Sequence, residues 1–149
     1  MPEKKTIERA RRDKRQGKAP STQAGEFVRE EIEHIREGKH GARSTKQAIA
    51  IGLSKARRSG VKLAAPAKGE ASERTRRSAK SALKHAGEKP SPKRSRAMEK
   101  ALKREPHAAA SKKALSRQAK TAAKQRTAKD RSAAARKAAR TRARNRTAA

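Results

Sequence analysis

The turn Gly38-Lys39-His40-Gly41-Ala42-Arg43 runs directly into Ser44-Thr45-Lys46-Gln47, and its residue types suit capture of a phosphate oxygen. Two glycines let backbone approach a ligand, and a helix starting at Ser44 offers unpaired amide hydrogens and the positive end of its dipole. Lys39, His40, Arg43 and Lys46 add charge or a titratable ring, and Thr45, Lys46 and Gln47 stand first on the helix, as in a helix-turn-helix. A capped helix without a ligand explains the same residues, because Ser44 and Gln47 fit a capping box in which Ser44 caps and Gln47 reaches back to it. A second constellation, Glu31-x-x-His34, has the spacing of a metal-ligand pair, but helical bundles that use it need a second copy projecting inward from another helix. The other match, Glu37-x-x-His40, straddles the helix stop at Gly38. His34, His40, His85 and His107 are scattered and there is no cysteine, so no metal site, cofactor or catalytic residue is expected, and the chain does not read as an enzyme.

The remaining chemistry is electrostatic. Paired bases recur at Arg11-Arg12, Arg57-Arg58, Arg76-Arg77 and Lys112-Lys113, and Lys93-Arg94 follows Ser91-Pro92. Arg136, Lys137, Arg140, Arg142, Arg144 and Arg146 crowd the end of the chain. Residues 107–149 hold fourteen Lys and Arg against one acid, Asp130, with Leu115 as their sole large apolar side chain. Over 149 residues, 44 Lys and Arg stand against 14 Asp and Glu, a net charge of +30 that points to a polyanion. Each neutralised phosphate releases condensed counterions, so affinity should fall with a slope of about −0.9 per contact in log K against log salt. Reading single-stranded bases needs aromatic platforms, and Phe27 is the lone aromatic residue, which favours duplex DNA over RNA; a structured-RNA or ribosomal partner is the alternative. The basic stretch lacks the bulky apolar face that membrane insertion requires. No apolar leader or spanning run occurs, so a cytoplasmic, nucleoid location is expected.

These groups need elements to hold them. Residues 1–63 carry 17 basic and 8 acidic residues, a net +9, and nearly all the branched apolar side chains; residues 64–149 carry 27 and 6, a net +21. The change falls at Ala64-Ala65-Pro66-Ala67-Lys68-Gly69, which reads as a linker. The expected fold class is all-α: a basic arm over 1–20, an αα-hairpin over 21–63, and a basic tail over 64–149. In the arm, Glu3 to Gln16 is polar almost all round, with Ile7 alone, which suggests a solvated helix or a frayed segment ended by Gly17 and Pro20. Ser21 or Thr22 then caps a helix through Glu37 whose apolar stripe is Phe27, Val28, Ile32 and Ile35. Its other face, Glu26, Glu30, Glu33 and Glu37, is an acidic ridge that would repel nucleic acid. The ridge is solvated, turned away from the polyanion, or paired with bases such as Arg11, Arg12 and Arg15. A helix from Ser44 to Arg58 puts Ala48, Ile49, Gly52, Leu53 and Ala56 on one side, and Gly52 lets it approach the first helix closely, with Val61 and Leu63 closing the end. About nine large apolar residues make a small core, so the hairpin is expected to be marginally stable, to dimerise or to fold on its ligand.

In the tail, short helices are expected over about 72–86 and 92–105, with Ser72 and Ser91 as caps, Gly87 as a stop and Pro92 in a first turn. Beyond Ala108 good helix formers repel one another and find no apolar face, so this stretch is expected to be largely disordered until phosphates remove the repulsion. As one helix its roughly 42 residues would span about 63 Å, too long to stay straight in a curving groove, so it should bend, break or bridge neighbouring duplexes.

The run from Lys39-His40-Gly41-Ala42-Arg43-Ser44-Thr45-Lys46-Gln47 through Ala48-Ile49-Ala50-Ile51-Gly52-Leu53 to Gly60 is similar to a family of small basic bacterial proteins of undefined function whose members are generally labelled DNA-binding. The similarity starts near Phe27 and covers much of the hairpin. The tail resembles bacterial linker-histone-like proteins in its Ala, Lys and Arg composition, and Ser91-Pro92-Lys93-Arg94 resembles the Ser-Pro-basic motifs of linker-histone tails. Neither resemblance transfers a mechanism, and both agree with the charge argument, from which non-specific duplex binding and compaction are expected. A contrasting expectation is an adaptor whose hairpin recruits a protein while the tail holds it on DNA.

Overall fold

The structure, a computed structural model, describes residues 1–147 and is all-helical over them. Seven α-helices occur among the described residues: α1 (Lys4–Arg15), α2 (Pro20–Arg36), α3 (Thr45–Arg58), α4 (Glu73–Lys84), α5 (Pro92–Leu102), α6 (Lys112–Lys124) and α7 (Ala128–Thr147), with a 3-10 turn at Ala108–Ala110 between α5 and α6. None of them is long and apolar enough to cross a membrane. Two units are distinct, one from Met1 to Ser111 and one from Lys112 onward.

In the first unit α2 and α3 form the expected hairpin. Ile35 and Phe27 are fully buried on α2, as are Ala48 and Ala56 on α3. The helices touch at Gly52, where a Cβ would come within 2.6 Å of the Val28 Cα, so no other residue fits without moving backbone. The α3 start is capped as the sequence suggests, with Gln47 N–H donating to Ser44 Oγ at 3.2 Å; the return bond, however, goes from the Arg43 amide to Gln47 Oε1 at 2.8 Å rather than from Ser44. The α2 start differs from expectation: Pro20 is its first residue and Ala19 its N-cap, because proline's missing amide costs nothing there.

The first helix is not a solvated arm. Thr6, Ala10 and Asp13, each about one turn from the next, are buried, and Ala10 joins Ala24, Phe27, Ala56 and Val61 in the central apolar cluster, on which Ile7, Leu53 and Leu63 also pack. The small side chains that make α1 look polar are what let it lie close to α2. The acidic ridge accordingly pairs with α1, through a different base from those expected: Arg9 Nε lies 2.6 Å from Glu26 Oε2, and Glu30 Oε1 accepts the Glu3 amide at 2.8 Å. Glu33 pairs along its own helix with Arg29 at 3.1 Å, and Glu37 with Lys39 at 2.9 Å.

The same unit continues past the 64–69 connection. Ala79 and Ala82 of α4 are buried, α4 packs on α3, and the Gly87 amide donates to Arg58 O at 2.8 Å. The segment after α5 returns to the α2–α3 turn, where Leu102, Ala109 and Ala110 are buried. The hairpin is thus covered within its own chain, which removes the physical reason for expecting it to need a second copy.

In the second unit α6 and α7 bury no residue, yet both are helical, so the expectation of a largely disordered stretch is not met. Ala, Lys, Arg and Gln have enough intrinsic propensity to hold helix without a packed face. The single tail acid is spent on starting α7: the Asp130 amide donates to Thr127 Oγ1 at 3.1 Å, and that hydroxyl donates to Asp130 Oδ2 at 2.6 Å. Residues 125–127 separate the two helices, which run about 20 and 30 Å at roughly 1.5 Å per residue.

Candidate functional site

Two sets of groups emerge, one cationic and exposed, one mixed and buried. The cationic set lies on the second unit. On α6, Lys113, Arg117, Lys120 and Lys124 recur at helical spacing and share a groove with the hydroxyl-bearing Ser116 and Thr121, of about 380 Å³. On α7, the period of 3.6 places Lys129, Arg136, Lys137, Arg140 and Arg144 on one side and Arg142 and Arg146 on the opposite one, with Arg131 held near the latter by donating to Arg126 O at 2.6 Å. Among the described residues the ion pairs all lie within the first unit, so these charges have no acidic partner there. Arg117, Lys120 and Lys124 follow an i, i+3, i+7 series in the sequence and belong with Lys113, but none of the three adjoins another base, so they carry no paired-base signature.

The turn expected to cradle a phosphate is occupied by its own chain. Gly41 N–H donates to Leu102 O at 2.9 Å, Ala42 N–H to Pro106 O at 3.0 Å, and a Cβ on Gly41 would collide with the Glu105 carbonyl. Thr45 is buried and its hydroxyl donates to Ala109 O at 2.7 Å, while Arg36 Nε donates to Ala110 O at 2.9 Å. Ser44 caps α3. Lys39 is half exposed but paired with Glu37 at 2.9 Å and Glu3 at 3.4 Å; the hydrogen bond to Glu37 holds its ammonium above the ordinary lysine range. Arg43 and Lys46 are exposed, Arg43 with its Nε 3.9 Å from Glu105.

Of the other sequence-expected bases, Arg57 is buried and donates to Leu63 O at 3.1 Å and Ala64 O at 3.0 Å; burial lowers its pKa. Arg76 bonds Pro66 O at 3.3 Å and Glu73 at 2.6 Å. Both are fastening the chain that leads from α3 to α4. Arg58 is half-buried on a cavity of about 550 Å³ that Arg94 also lines. Arg77, Lys93, Lys112 and Lys113 are exposed, as are Arg136, Lys137, Arg140, Arg142, Arg144 and Arg146.

The buried set centres on α2. Glu31, fully buried, has Oε2 2.6 Å from the Lys55 ammonium of α3 and Oε1 3.3 Å from His40 Nε2. His34, one turn on from Glu31, donates Nε2–H to Glu3 at 2.9 Å, and this bond, more than the one from Lys39, holds the Glu3 carboxyl below its usual range. The His34 and His40 rings meet edge to face, 6.2 Å between centroids. Glu31-x-x-His34 is visible in the sequence; its third member is not, because His40 lies past the Gly38 stop and is folded back by the 102–106 segment.

The chain matches no protein-family model, no curated protein and no solved structure.

Proposed function

We propose that this protein binds duplex DNA without sequence preference and compacts it, in the manner of a nucleoid-associated or linker-histone-like protein, through phosphate neutralisation by its second unit. The observation that carries this reading is the pair of helices α6 and α7, which bury nothing and carry thirteen Lys and Arg against one acid already used as a helix start. A helix that needs no face for packing is free to present charge in every direction. The α6 stripe suits one phosphate backbone, and the opposed cationic sides of α7 suit two, which is the requirement for drawing duplexes together. With one aromatic residue, buried in the core, nothing on the surface offers a stacking platform for single strands.

A salt titration of affinity for duplex DNA, single-stranded DNA and structured RNA tests it. Duplex DNA should bind tightest, with log K falling linearly against log salt. Replacing Arg136, Lys137, Arg140 and Arg144 by Gln should flatten that line by up to about 3–4 units of slope, at roughly 0.9 per phosphate contact. Salt-independent binding, or a preference for structured RNA at physiological salt, would overturn the assignment.

A further inference from the structure

We propose that Glu31, His34 and His40 form a binding site for a zinc-class divalent cation, built by the first unit and separate from the cationic helices. Each residue offers one ligand atom, and the three atoms lie within 4.8 Å of one another. His40 Nδ1 faces Gly41 O at 3.0 Å, and a carbonyl oxygen only accepts, so Nδ1 carries the proton and the lone pair of the neutral ring is on Nε2. That nitrogen is 3.3 Å from Glu31 Oε1, a buried oxygen without a hydrogen-bond partner. Two acceptors therefore converge on one point with nothing between them to share.

A cation is what reconciles them. Nitrogen and oxygen ligands each about 2.0–2.2 Å from a tetrahedral zinc ion sit about 3.3–3.5 Å apart, which matches the 3.3 Å between His40 Nε2 and Glu31 Oε1. The rest of the cluster prepares the site. Lys55 holds Glu31 Oε2, so Oε1 is fixed in direction, and Glu3 orients the His34 ring by accepting from Nε2. Among the described residues this contact network joins the carboxylates of Glu3, Glu30, Glu31 and Glu37 to two ammonium groups, Lys39 and Lys55, and Lys55 is the one that reaches Glu31, through Oε2 and not Oε1. All three ligands line the 550 Å³ cavity, which gives the ion a path in and leaves a coordination position for water. Two nitrogens and one carboxylate favour zinc, cobalt or nickel over magnesium or calcium, which prefer oxygen alone. A second trio, Glu3, Glu30 and His34, shares His34, but Glu3 is half exposed and Glu30 Oε1 already accepts an amide. The consequence for the fold is a clamp that ties the α2–α3 turn to α2.

The test is titration of chelator-treated, nucleic-acid-free full-length protein with Zn²⁺ by calorimetry and with Co²⁺ by visible absorption. We expect one equivalent bound, ligand-field bands of a four- or five-coordinate Co²⁺, and no competition from Mg²⁺. His40→Asn and His34→Asn should each weaken binding by more than the roughly 10–100-fold that loss of a mere supporting contact costs. His85→Asn and His107→Asn should leave it unchanged. Circular dichroism of the variants, and a Zn²⁺-dependent rise in melting temperature present only when both His34 and His40 remain, separate loss of ligand from loss of fold. Failure of the native chain to take up either ion, or affinity in the His34 and His40 variants equal to that of the native chain, would overturn the site and would leave the DNA-binding reading untouched.

Discussion

Two glycines on facing helices obey opposite rules. Gly25 is exposed on α2 with open space where a Cβ would go, so Gly25→Ala removes backbone entropy from the unfolded chain and should stabilise by about 0.5–1 kcal/mol. At Gly52 the same methyl would press on the Val28 backbone, and Gly52→Ala should destabilise by about 1–3 kcal/mol; urea unfolding of both variants checks the sign of each. Arg57 makes a similar point about charge. Its guanidinium is occupied by the Leu63 and Ala64 carbonyls, so Arg57→Gln should cost stability, by about 1–3 kcal/mol for the acceptors it strands, while leaving the salt slope of DNA binding unaltered. Glu3 shows how pH enters. Its carboxyl is held below the ordinary value of 4.5 by His34 and then Lys39, so its contribution is present above that value and is lost as pH falls through the lower folded one. The melting-temperature gap between the native chain and Glu3→Gln should therefore close in acid.

At the level of elements, what a helix buries decides what it is free to do. Helix α1 resembles the tail helices in composition, yet Thr6, Ala10 and Asp13 give it a narrow buried face and Arg9 is drawn to Glu26, so it belongs to the core unit. Helix α7 has no such face, and its order rests on propensity and on the Thr127–Asp130 start. Thr127→Ala should lower the helix content of the second unit, at about 1 kcal/mol for a lost cap, without moving the unfolding midpoint of the first. Circular dichroism and urea unfolding read the two effects separately. The stripe on α6 and the opposed sides of α7 also predict unequal roles: Gln in place of Arg142 and Arg146 should weaken DNA compaction more than binding to a short duplex, because one duplex needs only one side. Light scattering against fluorescence anisotropy distinguishes them.

For the whole molecule, the division at Ser111 separates a unit held by burial from one held by local propensity. Amide hydrogen exchange should show it directly, with strong protection along α2 and α3 around Phe27, Ile35, Ala48 and Ala56 and fast exchange throughout α6 and α7. Protection of α6 and α7 equal to that of the core would mean that something other than propensity holds them.

The amino-acid order alone specified what is periodic or cumulative. The α2–α3 pair, the close approach at Gly52, the Ser44 cap, the starts at Ser72 and Pro92, and a net charge of +30 all follow from spacing, local hydrogen bonding or simple addition. Tertiary structure decided everything that depends on one segment meeting another far away in the chain. It turned α1 inward on small residues that carry no apolar signature, filled the Gly41–Ala42 amides with carbonyls from 102–106, and removed Arg57 and Thr45 from the surface. It also brought His40 back across the Gly38 stop to Glu31, a pairing no helical period can encode, because their distance is set by the segment that folds over the turn and not by the residues between them.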